Sequence, residues 1–206
     1  MNKTLELFSG TKSFSKVMAK YGYKTFTIDN DPKLEPDLVA SIQDLTIDQF
    51  PYKPDIIWAS PPCQAFSVAS IGTHWTGGVG AYIPKTEFAK LSQELVLKTI
   101  ELIKESKPKY WFIENPRGML RKMPFMLDLP RYTVTYCQYG DTRMKPTDIW
   151  TNLKGWTPKS CKNGSFCHQS APRGSRTGTQ GIKGAKDRGV IPPQLFEELL
   201  KNLTLK

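Results

Sequence analysis

Short apolar runs alternate with segments of helical spacing along the first 150 residues, and this alternation restricts the possible folds more than any other feature. The strand-like runs are Thr4–Phe8, Lys24–Ile28, Leu38–Ala40, Asp55–Ala59, Tyr110–Ile113, Arg131–Gln138 and Ile149–Thr151. Helical spacing occurs between them, at Phe14–Tyr21 and Leu91–Lys104. Such alternation is typical of an α/β fold. We therefore predict a doubly wound, largely parallel sheet over residues 1–150, with a long loop at residues 64–86.

The net charge of +10 is confined to one part of the chain. Residues 1–115 carry 13 basic and 13 acidic side chains, so the excess lies between residues 116 and 190. A basic segment beside a neutral one predicts a polyanionic partner. The sequence has no apolar run long enough to span a membrane and no signal peptide. We therefore expect a cytoplasmic protein that does not associate with membranes.

Residues 151–190 differ in composition from the rest of the chain. Residues 152–190 contain seven of the 15 glycines, eight Lys or Arg side chains and few aliphatic ones. Such a stretch cannot build a hydrophobic core of its own. It is a surface module, a loop that orders on a partner, or a unit held together by a metal. Residues 191–206 return to an apolar helical pattern and form a third segment.

Polar groups follow four of the predicted strands, at Ser9-Gly10, Asp29, Cys63 and Glu114. The carboxyl ends of parallel strands meet at one edge of the sheet, which is where open α/β sheets bind their ligands. A glycine turn at that edge lets a ligand approach the backbone. We therefore expect these residues to share one site that combines a glycine turn, two carboxyl groups and a thiol.

Each of these side chains has a chemical role and a structural alternative. Asp29 either accepts hydrogen bonds from ribose hydroxyls or caps a turn, and Asp44 either meets an exocyclic amine or caps a turn. Cys63 follows two stiffening prolines and is either a nucleophile or a buried structural thiol. Glu114 ends an apolar strand, where a raised pKa would let it donate a proton; alternatively it pairs with Arg117.

Two motifs in this set resemble those of the C5-cytosine DNA methyltransferase family. Pro62-Cys63-Gln64, followed by Ala65-Phe66-Ser67, resembles the catalytic motif, and Glu114-Asn115-Pro116 resembles the Glu-Asn-Val motif. Leu5–Gly10 resembles the first, cofactor-binding motif. Val190–Leu195 resembles the last motif, whose helix packs back near the first. The order and spacing match over residues 4–150, and the short chain is similar to phage-encoded members.

The resemblance implies the Rossmann-like fold of S-adenosylmethionine-dependent methyltransferases, with S-adenosyl-L-methionine as cofactor and DNA as partner. Residues 151–190 then take the place of the family's target-recognition region, in reduced form. Restriction-modification and phage DNA modification both fit such an enzyme. The implied cofactor-binding residues are Leu7, Phe8, Ser9, Gly10, Asp29, Asn30, Asp44 and Pro61.

The resemblance also implies a mechanism, in which the target cytosine flips out of the duplex. Cys63 attacks C6 of the ring, Glu114 holds N3 with Asn115 positioning it, and the methyl group passes from the cofactor to C5. Arg143 and Lys145 fall where the family has its Gln-x-Arg-x-Arg motif, and they serve the flipped base or a phosphate. The loop at residues 64–86 closes over the base.

The chain departs from the family in four places. Pro116 replaces the valine of the Glu-Asn-Val motif, and Arg143-x-Lys145-x-Thr147 stands in place of Gln-x-Arg-x-Arg. Thr11-Lys12-Ser13 stands where further glycines usually follow the first motif, and only residues 151–190 occupy the place of a long recognition region. Lys and Arg on a flexible segment mainly neutralise phosphates. We therefore predict a short target site or low sequence specificity, with a partner subunit as one source of added specificity.

The basic segment also contains Cys161, Cys167 and His168, in a Cys-x5-Cys-His arrangement, while Cys137 is the remaining cysteine besides Cys63. These residues either bind zinc, which would cross-link a segment that has no core, or their cysteines remain as reduced thiols.

Two further functions stay open from the sequence. The same chemistry could act on RNA, since a basic segment binds either nucleic acid. A catalytically idle nucleic-acid-binding protein is the other alternative, but such a protein has no need of both Cys63 and Glu114.

Overall fold

A computed structural model describes residues 1–169, 187 and 189–204, and its centre is a seven-stranded sheet. The strands are β1 Lys3–Leu7, β2 Lys24–Asp29, β3 Leu38–Val39, β4 Ile56–Ala59, β5 Trp75–Thr76, β6 Ile83–Pro84, β7 Tyr110–Pro116, β8 Arg131–Thr135 and β9 Pro146–Thr151. The order in the large sheet is β3-β2-β1-β4-β7-β9-β8, while β5 and β6 form a separate hairpin. The strands from β3 to β7 in this order are parallel, and β9 is antiparallel to both its neighbours. This topology confirms the predicted α/β fold.

Four helices are described, namely α1 Ser13–Lys20, α2 Ile71–His74, α3 Glu87–Ser106 and α4 Pro193–Asn202. Helix α3 begins four residues before the predicted Leu91 because Thr86 caps it, with the Ala89 N–H donating to Thr86 Oγ1 at 3.2 Å. Among these helices, none is both long and apolar enough to cross a membrane. Most of the basic segment beyond Gln169 lies outside the described residues.

Each face of the large sheet is covered by a hydrophobic cluster, as a doubly wound sheet requires. Ile57 and Ala59 of β4 belong to the cluster under α3, whereas Ile56 and Trp58 belong to the one under α1 and α4. The Phe196 ring of α4 lies 4.8 Å from the Trp58 ring, in edge-to-face contact. The C-terminal helix therefore completes the core on the face that carries α1.

The prediction of a simple loop at residues 64–86 was wrong. This segment contains short 3-10 turns, helix α2 and the β5–β6 hairpin. Trp75 organises it, since its indole ring is buried, stacks 5.4 Å from the Phe66 ring and donates through Nε1 to the Ala65 carbonyl at 2.7 Å. Burial of one aromatic side chain thus orders a segment whose glycines favour a loop.

The strand predicted at Arg131–Gln138 ends earlier, at Thr135. Tyr136–Tyr139 form a 3-10 helix instead, which ends at Gly140 with a φ of 93°. Both tyrosines of this short helix are buried. Their burial in a helical turn explains why the apolar pattern continued past the end of the strand.

A buried carboxyl group in β1 caps helix α1. Glu6 has only 3% of its surface exposed, and its two oxygens accept from the N–H groups of Phe14 at 3.3 Å and Ser15 at 2.9 Å. These N–H groups belong to the first turn of α1, where Lys12 provides no side-chain cap. Burial raises the pKa of Glu6 to about 7, although the Ser15 and Phe14 hydrogen bonds oppose the shift.

We expect the free energy of unfolding to decrease as the pH rises from 4.5 to about 7, because the folded chain holds the Glu6 proton more tightly than the unfolded chain. The effect is on the order of 3 kcal/mol. Glu6→Gln should remove it, as measured by urea unfolding at a series of pH values. Glu105→Gln, an exposed change in α3, is the control and should keep the pH dependence of the original chain. An unchanged pH dependence in Glu6→Gln would contradict this assignment.

Candidate active site

The carboxyl ends of β1, β2, β4 and β7 lie side by side at one edge of the sheet. Two hydrogen bonds connect the segments that follow them. Asp29 Oδ2, at the end of β2, accepts from the Gly10 N–H at 2.9 Å. Asn115 Nδ2, in β7, donates to the Pro61 carbonyl at 2.9 Å. The four predicted strand-end groups therefore lie along one continuous edge.

The turn after β1 has three residues in the left-handed region, Phe8 at a φ of 54°, Gly10 at 48° and Lys12 at 56°. Glycine adopts this conformation without steric cost, whereas Phe8 pays about 1–2 kcal/mol for it. Asp29 stabilises the turn through Gly10, and its second oxygen accepts from the Asp31 N–H at 3.1 Å. Asp29 thus has the structural role of a turn cap while it also faces the neighbouring pocket.

A pocket opens beside this turn. It is lined by Phe8, Asp29, Asn30, Ala40, Ser41, Ile42, Gln43, Pro62, Leu91 and Leu95. Its walls are largely apolar, and a carboxylate and an amide lie at one side. Such a combination suits a nucleoside, whose base needs apolar contacts and whose ribose hydroxyls need an acceptor.

Four other predicted cofactor residues are placed differently. Leu7 is buried in the core, and its carbonyl accepts from the Ser60 N–H at 3.3 Å. Pro61 is buried and offers its carbonyl to β7. Ser9 is buried beside Gly10, and its hydroxyl has no hydrogen-bond partner within the described residues. Asp44 is exposed and lies one residue beyond the lining of the pocket.

Lys12, which stands where the family has a glycine, does not line the pocket. Its ammonium group donates to the Glu35 carbonyl, and its backbone is left-handed with a φ of 56°. The Thr11 and Ser13 hydroxyls lie 2.7 Å apart in the same turn. The three residues that depart from the family motif therefore interact with the protein around them.

Cys63 lies in the turn after β4, directly after Pro61 and Pro62. The residue is half-buried and does not belong to a disulfide. Its carbonyl accepts from the Phe66 N–H at 3.0 Å, which starts a short 3-10 helix. The thiol is thus held on a stiff turn at the edge of the sheet, open enough for a substrate to reach it.

Glu114 in β7 is buried, with 6% of its surface exposed. The Tyr136 hydroxyl donates to Glu114 Oε1 at 3.0 Å. Burial raises the pKa of Glu114 above its usual value, and the Lys145 ammonium and the Tyr136 and Ser60 hydroxyls partly offset that rise. Burial thus favours the protonated form of this carboxyl group, which is the form that can donate a proton to a ring nitrogen.

The Asn115 side chain bridges strand β7, which carries Glu114, and the turn that carries Cys63. Its Nδ2 atom holds the Pro61 carbonyl, two residues before Cys63, and its buried Oδ1 atom has no hydrogen-bond partner in the described part of the chain. Because Glu114 and Asn115 are consecutive in β7, a single strand sets both the position of the acid and the position of the thiol turn.

Arg143 and Lys145 lie in the segment between the Tyr136–Tyr139 helix and β9. Lys145 is 9% exposed, its ammonium lies 4.7 Å from the centre of the Tyr136 ring, and its charge acts on Glu114. Its backbone is strained, with a φ of 32°. Arg143 has two buried guanidinium nitrogens, Nε and Nη1, that find no hydrogen-bond partner among the described residues.

Sequence reasoning missed Tyr136, Ser60 and Gly118. The first two lie in an apolar run and a turn, with no motif to mark them. Gly118 permits a close approach, because a Cβ atom there would lie 2.5 Å from the Phe66 carbonyl oxygen. Met119 donates to that same oxygen at 2.7 Å. The segment after β7 is thereby packed against the segment that follows Cys63.

Cys161, Cys167 and His168 are gathered with Cys137 in a separate cluster, whose four candidate ligand atoms lie within 4.8 Å of one another. The sequence indicated three of these residues, Cys161, Cys167 and His168, as zinc candidates and did not include Cys137 among them. The structure thus brings the three predicted zinc candidates together with Cys137.

The overall fold is that of known methyltransferases. A crystal structure assigned as a DNA modification methyltransferase encoded within an E. coli prophage aligns with a TM-score of 0.52 and 17% identity, over 73% of this chain and 46% of its own. The Entamoeba histolytica methyltransferase EhMeth aligns with a TM-score of 0.56 and 14% identity, over 80% and 58% respectively. The chain therefore spans about half the length of these two structures.

The family is defined by sequence. The profile of the C-5 cytosine-specific DNA methylases matches residues 2–124. A Frog virus 3 (isolate Goorha) protein named "Probable DNA (cytosine-5)-methyltransferase" is 31% identical over 214 residues, which cover 96% of this chain and 98% of that protein. The chain belongs to the C-5 cytosine-specific DNA methylase family.

Tyr136→Phe tests the electrostatic account of Glu114. The lost hydroxyl stabilises the ionised carboxylate, so the pKa of Glu114 should rise further above its usual value. A carbon-13 NMR titration of glutamate labelled at its carboxyl carbon measures this. Tyr132→Phe is the matched control, because Tyr132 donates to the Leu153 carbonyl and not to Glu114. A titration curve that does not move in Tyr136→Phe would refute the account.

Proposed function

We propose that the chain methylates C5 of cytosine in DNA, with Cys63 as the nucleophile and Glu114 as the proton donor. The main support for this proposal is the structural link between Cys63 and Glu114. Glu114 is buried in β7, and the adjacent Asn115 holds the Pro61 carbonyl of the turn that carries Cys63. Family membership supports cytosine as the base and DNA as the polymer.

The pocket beside the β1 turn fits S-adenosyl-L-methionine. Apolar side chains from Ile42, Leu91 and Leu95 suit an adenine ring, and the Asp29 carboxylate suits ribose hydroxyls. The buried Ser9 hydroxyl, without a partner in the described residues, is an additional polar group for the ligand. When bound, this cofactor supplies an electrophilic methyl group.

Cys63 makes the cytosine ring reactive. Its thiolate forms a bond to C6, and the electron pair of the C5–C6 double bond shifts to C5 and, through C4, toward N3. Glu114 gives its proton to N3, which neutralises the charge that develops there. C5 then has the electron density that it needs to accept a methyl group. Loss of the C5 proton to a base then restores the C5–C6 double bond and releases the Cys63 thiolate, and the N3 proton returns to the Glu114 carboxylate.

The environment of Glu114 suits its role as a proton donor. Burial raises the pKa of its carboxyl group and favours the protonated form, while Lys145 stabilises the ionised form that is left after proton transfer. Opposing effects of this kind bring the pKa of an acid toward the working pH, where proton transfer is most efficient.

Arg143 and Lys145 are proposed to contact the substrate. The two buried guanidinium nitrogens of Arg143, which lack partners in the described part of the protein, are suited to a phosphate or to a base edge. Residues 151–190 are the proposed target-recognition segment, and their Lys and Arg side chains would bind mainly the DNA backbone. Low specificity, a short target site and a partner subunit remain predictions.

Cys63→Ser should abolish methyl transfer, since a hydroxyl is far less ionised than a thiol; we expect a loss of about 10³-fold or more. Transfer of labelled methyl groups to duplex DNA, and to RNA in parallel, measures this. The original chain should also be trapped covalently on DNA that contains 5-fluorocytosine, and the variant should not. Thermal unfolding serves as the control for folding.

Full activity of Cys63→Ser would overturn the mechanism. Activity of the original chain on RNA alone would replace DNA as the substrate. Binding of S-adenosyl-L-methionine and DNA without any methyl transfer would favour the idle binding protein.

DNA affinity should fall steeply with salt, linearly in the logarithms of affinity and salt concentration. Replacing the exposed Lys154 and Lys162 of the basic segment with Ala should reduce the slope by about two, if both contact phosphates. Lys20→Ala with Lys104→Ala, two exposed changes in the neutral part of the chain, forms the control pair and should leave the slope unchanged. Fluorescence anisotropy measures the affinities, and a nearly flat salt dependence would exclude phosphate-led binding.

A further inference from the structure

Three cysteines and a histidine from two chain segments converge beside the end of β8. Cys137 lies in the 3-10 helix Tyr136–Tyr139, Cys161 lies in the basic segment, and Cys167 and His168 follow a few residues later. Their sulfur and nitrogen atoms all lie within 4.8 Å of one another. This cluster has no part in the proposed methyl transfer.

Three of the separations within the cluster are close to those of a tetrahedral metal site, and a fourth, between the Cys137 and Cys161 sulfurs, is shorter. With Zn–S bonds of about 2.3 Å and Zn–N bonds of about 2.0 Å, tetrahedral ligands lie about 3.8 Å apart for two sulfurs and about 3.5 Å for sulfur and nitrogen. The Cys137 and Cys167 sulfurs are 3.7 Å apart, and the Cys137 and Cys161 sulfurs 3.2 Å. His168 Nδ1 lies 3.6 Å from the Cys161 sulfur and 3.5 Å from the Cys167 sulfur.

The described residues around the cluster form no hydrophobic core of their own. None of residues 157–169 is buried, and the one large apolar side chain among them, Phe166, is fully exposed. Backbone contacts nevertheless hold the segment against the catalytic sheet. Cys161 N–H donates to Thr135 Oγ1 at 2.9 Å, and Gln169 N–H donates to the Thr142 carbonyl at 2.8 Å. A segment without a core needs a cross-link to keep such contacts.

We propose that Cys137, Cys161, Cys167 and His168 bind one Zn²⁺ ion as a Cys3His site that fastens the basic segment to the catalytic sheet. Three thiolates and one imidazole are a ligand set typical of structural zinc, in which all four positions are filled by protein. A disulfide between Cys137 and Cys161 is the competing cross-link, but it would leave Cys167 and His168 without a function.

The first test is the metal content of the full-length chain, purified under reducing conditions and without chelator. Elemental analysis by mass spectrometry should find one zinc per chain. Replacement with Co²⁺ should give the intense visible absorption of a tetrahedral, thiolate-bound ion. Cys161→Ser should lose the zinc, and Cys63→Ser, the matched control outside the cluster, should retain it.

Several results would overturn the proposal. One is the absence of stoichiometric metal with all three thiols of the cluster free to react. The others are iron or copper in place of zinc, a Cys137–Cys161 disulfide in peptide mapping, or Co²⁺ bound without thiolate absorption. The Co²⁺ spectrum of the unmutated chain decides the matter even if Cys161→Ser does not fold.

The second test concerns the fastening role. Trypsin should cut after Lys159 and Lys162 faster once the zinc has been removed, and added Zn²⁺ should restore protection. Equal cleavage rates with and without the metal would refute that role. Neither test depends on methyl transfer, so failure of the proposed enzyme function and failure of the zinc site can be distinguished.

Discussion

The burial of the Glu114 carboxyl group is the constraint on which the rest of the site depends. A carboxyl group in an apolar sheet is costly unless it stays protonated or finds partners. Here Tyr136 and Ser60 supply hydrogen bonds, and Lys145 supplies a compensating charge. These partners come from the segments that follow β8, follow β4 and precede β9. The antiparallel pair β8–β9 must therefore lie beside β7 before the acid can be accommodated.

The same strand also sets the position of Cys63, the proposed nucleophile. Asn115 points to the Pro61 carbonyl, so the proline turn that carries Cys63 is fixed relative to β7 by one hydrogen bond. On the far side of that turn, Gly118 lets the next segment approach the Phe66 carbonyl. The turn is thus held from both ends by groups that follow Glu114 in sequence, and the thiol and the acid cannot shift independently.

The sequence predicted the groups that parallel strands deliver, because the end of an apolar run marks a strand end and all such ends meet at one edge. Asp29, Cys63 and Glu114 were found in this way. Tyr136 was not, since its hydroxyl reaches Glu114 only because the strand turns into a helix after Thr135. The cluster of Cys137 with the later cysteines was equally hidden, because 24 residues separate Cys137 from Cys161. Contacts between distant segments leave no local pattern.

The hydrogen bond from Tyr136 to Glu114 lies next to the cysteine cluster, and this proximity connects the basic segment to Glu114. Tyr136, which bonds to Glu114, directly precedes Cys137, so one short helix carries a partner of the acid and a member of the cysteine cluster. Tyr136 N–H also donates to the Met144 carbonyl at 2.8 Å, between Arg143 and Lys145. Anchoring or release of the basic segment at Cys137 therefore affects the adjacent Tyr136 and its hydrogen bond to Glu114. The proposed nucleic-acid-binding segment and the hydrogen-bond partner of the proposed proton donor thus share a single turn of backbone.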